Sequence, residues 1–421
     1  MSKIILLPHG TAGDVLPYIW LGRQLMQRGH QVTMIWVDAF QLLAEKAGLE
    51  YVPMVNAKYE EFLSNSMLWD AHKGFQAGFA YAGDCIGSYT DAFATYVERE
   101  GLPDLLISPQ NNFVAPLLRE KHGLPLVSVV LHPLAFISAH EISCCIPCWR
   151  LLRMLPVFAR SFFLSAIRPY DRFAMPQIRK QCALHKVKPP KNLRRDWWSS
   201  PDGTLALFPE WYGKPQPDWP VNYFQWDFPL EDLRTETALS PEFEAFLEAG
   251  SKPVVFTLGT GHVHARPFFE TAVELCSQLG CRGVFVSRDP AQIPDNLPAS
   301  IMAVQYAPFS VLLPRASACV HHGGIGTLSQ CFRAGLPQFI VSMAFDQPDN
   351  AERVKRFGAG VSIDIRQFNV KRALPLLRRC LEDVAIHQKA AACTELLVGG
   401  RPSVDALMEW LEHRMKPMLK P

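Results

Sequence analysis

The stretch "ACVHHGGIGTLSQCFRAGLP", residues 318–337, decides how this chain is read. A short apolar run ends at His321 or His322. Gly323, Gly324 and Gly326 follow at once, and Thr327 opens an amphipathic stretch that Gly335 closes. Strand, glycine turn and helix in that order are one unit of a parallel sheet. The glycines let the backbone turn tightly and approach a ligand. Backbone N–H groups at a helix start, together with the helix dipole, form an anion site. A histidine beside it can donate to a phosphate oxygen. The plainer alternative is a turn that merely lets helix and strand pack. Two histidines, three glycines and a threonine together favour phosphate.

Working outward, apolar runs alternate with amphipathic stretches along the whole chain. The first half offers strands at 3–8, 31–36, 51–54, 104–108, 126–130 and 204–208; the second at 253–259, 283–287, 301–305, 318–321 and 337–341. This is the βα alternation of parallel sheets. Between the halves lies the Pro- and Trp-rich passage "PEWYGKPQPDWPVNYFQWDFPLEDL" (209–233). Prolines fix φ and deny a sheet its donors, which places a domain boundary near residue 230. The expected fold is α/β: two doubly wound, Rossmann-like parallel-sheet domains facing each other across a cleft. Ligands bind such sheets beyond the carboxyl ends of the strands.

At the other end of the chain, "LLPHGTAGDVLPYIWLGRQLMQRGHQV" (6–32) is again strand, glycine-rich turn and helix. Asp14 sits near the helix start and Pro17 in its first turn. A capping carboxylate is common there. The same carboxylate, opening beyond a strand end, can accept a proton from an incoming hydroxyl. The spacing of Gly10 and Gly13 is not that of a dinucleotide fingerprint. His9 is the strand-end residue, which more often hydrogen-bonds its neighbours. In the second half, Asp346, Gln347, Asp349 and Asn350 follow a strand and precede a helix. They are placed to hydrogen-bond sugar hydroxyls or to cap the helix.

With 421 residues the chain is too long for one ordinary core. Its net charge of +2 carries no electrostatic footprint for nucleic acid. The opening "MSKIILLPHG" reads as a first strand, not a secretory leader. No run reaches the roughly 18 apolar residues of a membrane-spanning helix, so a cytoplasmic protein is expected. The 11 cysteines are scattered and odd in number, against a disulfide framework. Cys145 and Cys148 form a lone CxxC, weak evidence for zinc. No Asp-x-Asp occurs to bridge a metal to a diphosphate. One segment breaks the alternation: "CCIPCWRLLRMLPVFARSFFLSAIR" (144–168), apolar and studded with Arg150, Arg153, Arg160 and Arg168. It reads either as a buried helix pair with snorkelling arginines or as an acceptor-side or membrane-facing surface.

These residues resemble a known family. "HHGGIGT", "AGLP" and "DQPDNA" resemble the donor signature of GT-B, family 1 glycosyltransferases. "GTAGDVLPYIWLGRQLMQRGHQV" resembles the acceptor-side start of the bacterial and sterol-glycosylating branch. "SPDGTLALFPEWYGKPQPDWP" and "SMLWDAHKGF" look more narrowly like the rhamnosyltransferase catalytic chain of rhamnolipid synthesis.

The resemblance implies an acceptor-binding domain over 1–230, a nucleotide-sugar domain over 231–395, and a C-terminal helix in 396–421 that returns to the first domain. It implies that Asp14 is the catalytic base, with His322 or His321 on the diphosphate. Gly324, Gly326 and Thr327 are the backbone and hydroxyl donors to it, and Thr260 in "TLGTGH" (257–262) is a further phosphate contact. Asp346 and Gln347 hold the donor sugar. "QYAPF" (305–309) matches the nucleobase turn, with Tyr306 stacking and Ala307 and Phe309 beside it. Phe309 stands where many members have Gln, and Gln330 where plant members have Glu for the ribose. Acceptor contacts are expected from His9, Gly13, Trp69, Trp149 and Phe162.

The expected activity is inverting, metal-independent transfer of a hexose, rhamnose favoured, from a dTDP- or UDP-linked sugar to a lipidic hydroxyl. It needs no further cofactor, and peripheral contact with the inner face of a membrane is allowed. Glucosylation of a sterol, carotenoid or polyketide is the enzymatic alternative. A catalytically silent partner of the same fold is the alternative of another class; it has no need to keep Asp14, His322 and Asp346. A nucleotide-sugar epimerase would need acid/base residues around the donor sugar, and the sequence offers no such arrangement.

Overall fold

The computed structural model describes residues 1–415 apart from 56–57, 71–72, 147, 167–170, 231, 233–238 and 263. Arg168 therefore lies outside the described residues. The chain divides into two compact units. One holds Met1–Phe62, His72–Glu231 and Arg401–Pro421; the other holds Leu63–Ala71 and Asp232–Gly400.

The first unit is built on a seven-stranded parallel sheet. Its strands are β1 (Lys3–Leu6), β2 (Gln31–Val37), β3 (Glu50–Met54), β4 (Leu105–Pro109), β5 (Leu126–Val130), β6 (Thr204–Ala206) and β7 (Tyr223–Gln225), in the order β3-β2-β1-β4-β5-β6-β7. β1 is an interior strand, with Ile5 registered between Thr33 of β2 and Leu106 of β4. Ile4, Ile5 and Leu6 are wholly buried. A central parallel strand is covered on both faces, so its sequence is a continuous apolar run, not an alternating one.

The second unit has a six-stranded parallel sheet: β8 (Val254–Thr257), β9 (Gly283–Val286), β10 (Ile301–Val304), β11 (Ala318–His321), β12 (Gln338–Ser342) and β13 (Gly360–Asp364), in the order β10-β9-β8-β11-β12-β13. Alternate residues of β8 feed opposite faces. Val254 and Phe256 join a core with Phe269, Phe285, Val320 and Phe339, while Val255 joins Val284, Cys319, Leu312 and Cys331. The sheet is sandwiched, as the period of a strand requires. In each sheet the strand order reverses once, between β1 and β4 and between β8 and β11. Those reversals are where open α/β sheets bind ligands.

Three details correct the sequence reading. The proline-rich passage holds a strand that the sequence reading does not include, β7, and Gln225 Nε2 donates to the carbonyls of Phe208 and Gly213 at 3.1 and 2.8 Å. Asp218 accepts from Ser138 Oγ at 2.6 Å and Ala139 N at 2.7 Å, so the prolines shape a wrap that latches a neighbouring loop. β13 was also missed; its "GVSID" is short and half polar. Leu63–Ala71 packs with the second unit, not with the first as the 1–230 division had it.

The chain changes unit after Gly400, and the helix Val404–Glu412 returns to the first sheet. Trp226 anchors that return. It stacks on Trp20 at 4.4 Å and donates its indole N–H to Pro402 O at 3.0 Å, with the Arg401 guanidinium 4.7 Å from its ring. Among the described residues no helix is long and apolar enough to cross a membrane.

Candidate functional site

In the second unit, two loops meet at the reversal between β8 and β11. β8 ends at Thr257, whose Oγ1 accepts from Gly259 N at 3.1 Å. β11 ends at His321, and His322 is the first residue beyond it. The His322 ring lies in a slot between Gly259 and Gly324. A Cβ on Gly259 would stand 2.7 Å from His322 Cε1, and one on Gly324 would stand 2.3 Å from Nε2. Both glycines are therefore demanded by the approach of the imidazole as much as by the turn. His322 Nδ1 is buried with no hydrogen-bond partner among the described residues. Burial first, then His321 and His262, pushes its pKa down to about 3. The ring is therefore neutral, one nitrogen a donor and the other an acceptor.

His321 does something else. It has no exposed surface, its Nε2 meets Gln338 Oε1 at 3.0 Å, and its Nδ1 accepts from Gly323 N at 3.1 Å. Both ring nitrogens are spent inside the protein, and burial pushes its pKa down to about 4. His321 thus has no ring nitrogen left for a further partner. It holds the turn that presents His322.

Gly324 is the N-cap of the helix Ile325–Arg333, and Leu328 N is bonded to Gly324 O at 3.0 Å. The N–H groups of the first turn, through Thr327, have no carbonyl to meet within the helix. Gly326 is exposed there and Thr327 is 8 % exposed.

A third loop follows β12. Asp346 precedes the helix Gln347–Phe357, and its Oδ2 accepts from Asn350 Nδ2 at 2.7 Å. Asn350 Nδ2 also donates to Gly323 O at 2.8 Å, tying this loop to the glycine turn. Gln347 Oε1 accepts from Met343 N and Ala344 N at 2.9 and 3.2 Å, so only its amide nitrogen is left to offer. Phe345, between them, has φ 58°, a left-handed conformation that is strained for an aromatic residue. Below it, the buried pair Asp349 and Arg353, 2.8 Å apart, fixes the next turn of the helix.

Thr260 lies half-buried in the β8 loop. Tyr306 follows β10, two strand spacings or about 10 Å from β8, and is half-buried. Ala307 is buried in the core with Phe309 packed against it, which leaves Ala307 only its backbone to offer. Gln330 is 5 % exposed, which leaves little of its side chain for a ribose.

The sequence reading passed over His262. It sits in the same unit with its ring 5.1 Å from Trp69, edge to face, and burial pushes its pKa down to about 4. Its signal was in view, a histidine closing the glycine turn "TLGTGH". Trp69, expected on the acceptor side, instead belongs to this unit, against His262 and, at 6.3 Å, Phe345.

In the first unit the loop between β1 and the helix Ala12–Gln27 lies at the other reversal. Four side chains from elsewhere in the unit donate to its carbonyls. Ser108 Oγ and Asn112 Nδ2 reach Leu7 O at 3.1 and 3.0 Å, Tyr89 reaches Pro8 O, and Tyr59 reaches Gly10 O at 3.2 Å. Asp14 is half-buried in the first helical turn, and its Oδ2 accepts from Thr11 N at 2.8 Å and Thr11 Oγ1 at 3.3 Å. It is the acidic partner of a capping box. Gly10 has φ +124°, and a Cβ there would stand 2.3 Å from that carboxylate oxygen. The Tyr18 hydroxyl is buried beneath; burial, and then the Asp14 charge, keeps it protonated.

The expected acceptor contacts divide. His9 is 5 % exposed, its ring 5.0 Å from Trp36 and 5.6 Å from Tyr81, and burial pushes its pKa down to about 3. It is a neutral wall beneath the loop. Gly13 is exposed at the helix start. Trp149 packs against a separate small cluster around Leu152 and Leu164, and Phe162, on the helix Val157–Ala166, is 75 % exposed. Among the described residues no group of His, Cys, Asp and Glu has the arrangement of a metal site.

Comparison with known proteins agrees with the fold. Residues 284–403 match the erythromycin biosynthesis protein CIII-like C-terminal domain, and residues 4–128 match the glycosyltransferase family 28 N-terminal domain. The O-mycaminosyltylonolide 6-deoxyallosyltransferase of Streptomyces fradiae is 28 % identical over 98 % of each chain. Among solved structures, the calicheamicin glycosyltransferase CalG4 superposes with a TM-score of 0.73 at 18 % identity, covering 100 % of both chains. The spinosyn rhamnosyltransferase SpnG complexed with thymidine diphosphate does so with a TM-score of 0.69 at 17 % identity, covering 97 % of this chain and all of that one.

Proposed function

Since this chain is a glycosyltransferase of the GT-B fold, we propose that it moves a hexose, rhamnose in the first instance, from a dTDP- or UDP-linked sugar to a hydroxyl of a lipidic acceptor, with inversion. The observation that carries the donor half is His322, a neutral imidazole slotted between Gly259 and Gly324 at a strand reversal and beside an open helix start.

In this scheme the acceptor O–H gives its proton to the Asp14 carboxylate as its oxygen attacks the anomeric carbon. The bond from that carbon to the diphosphate oxygen breaks, and the charge stays on the departing nucleoside diphosphate. His322 and the N–H groups from Gly324 to Thr327 stabilise that charge where it develops, the oxyanion-hole logic applied to phosphate. Asp346 and the Gln347 amide bind sugar hydroxyls. Tyr306, about 10 Å along the sheet from β8, stacks the base. The helix start and the imidazole do the work that a metal does elsewhere, in keeping with a chain that has no Asp-x-Asp. The thymidine diphosphate carried by a rhamnosyltransferase of the same fold supports dTDP-rhamnose as the first donor to try. The greasy segment 133–170 supports a lipidic acceptor.

The test is transfer from dTDP-rhamnose to a hydroxy-fatty acid ester, followed by mass spectrometry, for the wild type and Asp14→Asn. The scheme expects the wild type to form product. It expects the variant to lose about 10²- to 10⁴-fold in turnover, the range of general-base catalysis, while nucleotide affinity is kept. Unchanged turnover in Asp14→Asn would remove that residue as the base.

A further inference from the structure

We propose that the helix pair Trp149–Met154 and Val157–Ala166 is a docking surface for an anionic lipid bilayer. Its inner face is conventional: Leu152 and Leu164 pack on Ala139 and Ile142. Its outer face is not. Leu151, Met154, Phe158 and Phe162 are 61 to 81 % exposed, and Leu155 joins them. A surface helix of a water-soluble protein carries polar residues on that side. Large apolar side chains gathered on one exposed face mark an interaction site.

The charge of the segment names the occupant. From Ile142 to Tyr170 the sequence has four arginines and no Asp or Glu. Arg153 donates to Ile142 O at 3.0 and 2.7 Å and lies 4.4 Å from the Trp149 ring. Arg160 donates to the carbonyls of Leu155, Ala139 and Arg153. These bonds staple the two helices together and leave the positive charges without carboxylates among the described residues. Arg150 is exposed at the rim. A basic amphipathic surface tipped with Leu, Met and Phe lies in the plane of an anionic membrane, its apolar side chains below the headgroups and its arginines among the phosphates. A second copy is a poor fit, because a two-fold interface sets the same patch against itself and would face one basic surface with another. The proposal does not depend on the transfer chemistry.

The full-length protein is sedimented with vesicles of phosphatidylcholine alone and of phosphatidylcholine with phosphatidylglycerol. The wild type should pellet with the anionic vesicles, less so as salt rises, and stay in solution with the neutral ones. The triple variant Leu151→Ser, Met154→Ser, Phe158→Ser should remain in the supernatant with both, and Arg150→Glu alone should cut binding to anionic vesicles severalfold. The three serines replace exposed side chains, and an unchanged unfolding temperature checks that the fold is kept; Arg150→Glu tests the charge half by itself. Wild-type protein that ignores both vesicles would overturn the proposal, as would a triple variant that pellets like the wild type. So would a wild-type dimer, indifferent to lipid and dispersed by the three serines, which would give the face to a second copy.

Discussion

His321 and His322 differ by one position and by everything else. One is bonded through both nitrogens within the protein; the other keeps a buried, unpartnered nitrogen beside two glycines. His322→Ala should therefore weaken nucleotide binding by about 10- to 100-fold, the worth of a hydrogen bond to a charged group, with little change in stability. His321→Ala leaves Gln338 and Gly323 N unpaired and should lower stability by about 1–3 kcal/mol. Nucleotide titration and denaturant unfolding of both variants check the assignment. The sequence could not choose between them. The choice rests on which residue is the last of β11, and a strand end is legible only to within a residue or so. Asp14 was legible as a cap or a base. The structure shows the cap, in its bonds to Thr11, and leaves catalysis to experiment.

Among the elements, the loop after β1 has its carbonyls held by Ser108, Asn112, Tyr89 and Tyr59. None of these partners is near it in sequence, so no local pattern announces the clamp. Gly10→Ala tests it. The new Cβ meets the Asp14 carboxylate at a backbone angle that L residues rarely adopt. Strain of that kind costs about 1–3 kcal/mol. Turnover should fall with it, because the carboxylate must move; an alanine variant with full activity would show that Asp14 need not stand where it does. The central strands were legible for the physical reason that buried parallel strands are unbroken apolar runs. β7 and β13 were not. "YFQ" follows Pro220 in a passage whose prolines signal a break, and "GVSID" at a sheet edge carries the polar residues an edge tolerates. Trp69 was misplaced because a segment of a few residues that leaves its own half of the chain has no signature in composition.

The whole molecule carries a pH liability. His9 and His321 are buried in different units, and burial pushes their pKa values down to about 3 and about 4. The unfolded chain takes up these protons at about pH 6.5, well before the folded chain does. A histidine with a depressed folded pKa therefore costs the fold almost nothing at neutral pH and disfavours it increasingly as pH drops below about 6.5. At pH 5 each such histidine lowers stability by about 2 kcal/mol. The unfolding temperature should fall steadily from pH 7 to pH 5, and His321→Gln should flatten that slope. A temperature that stays level over this range would mean the rings are not held neutral. Two-domain architecture was readable from length and alternation, and the return of the final helix from the resemblance. The exchange of Leu63–Ala71 into the second unit was not.

The central claim is that the second unit holds the diphosphate of a nucleotide-sugar. Its most direct test is the thermal unfolding of the wild type and His322→Ala with dTDP, UDP, GDP or NAD. A ligand at a hundredfold over its dissociation constant adds about 2.7 kcal/mol, enough to raise the transition by a few degrees. That rise should come with dTDP or UDP and not with NAD, and should be lost or sharply reduced in His322→Ala. No rise with any nucleotide, or an equal rise in the variant, would contradict it.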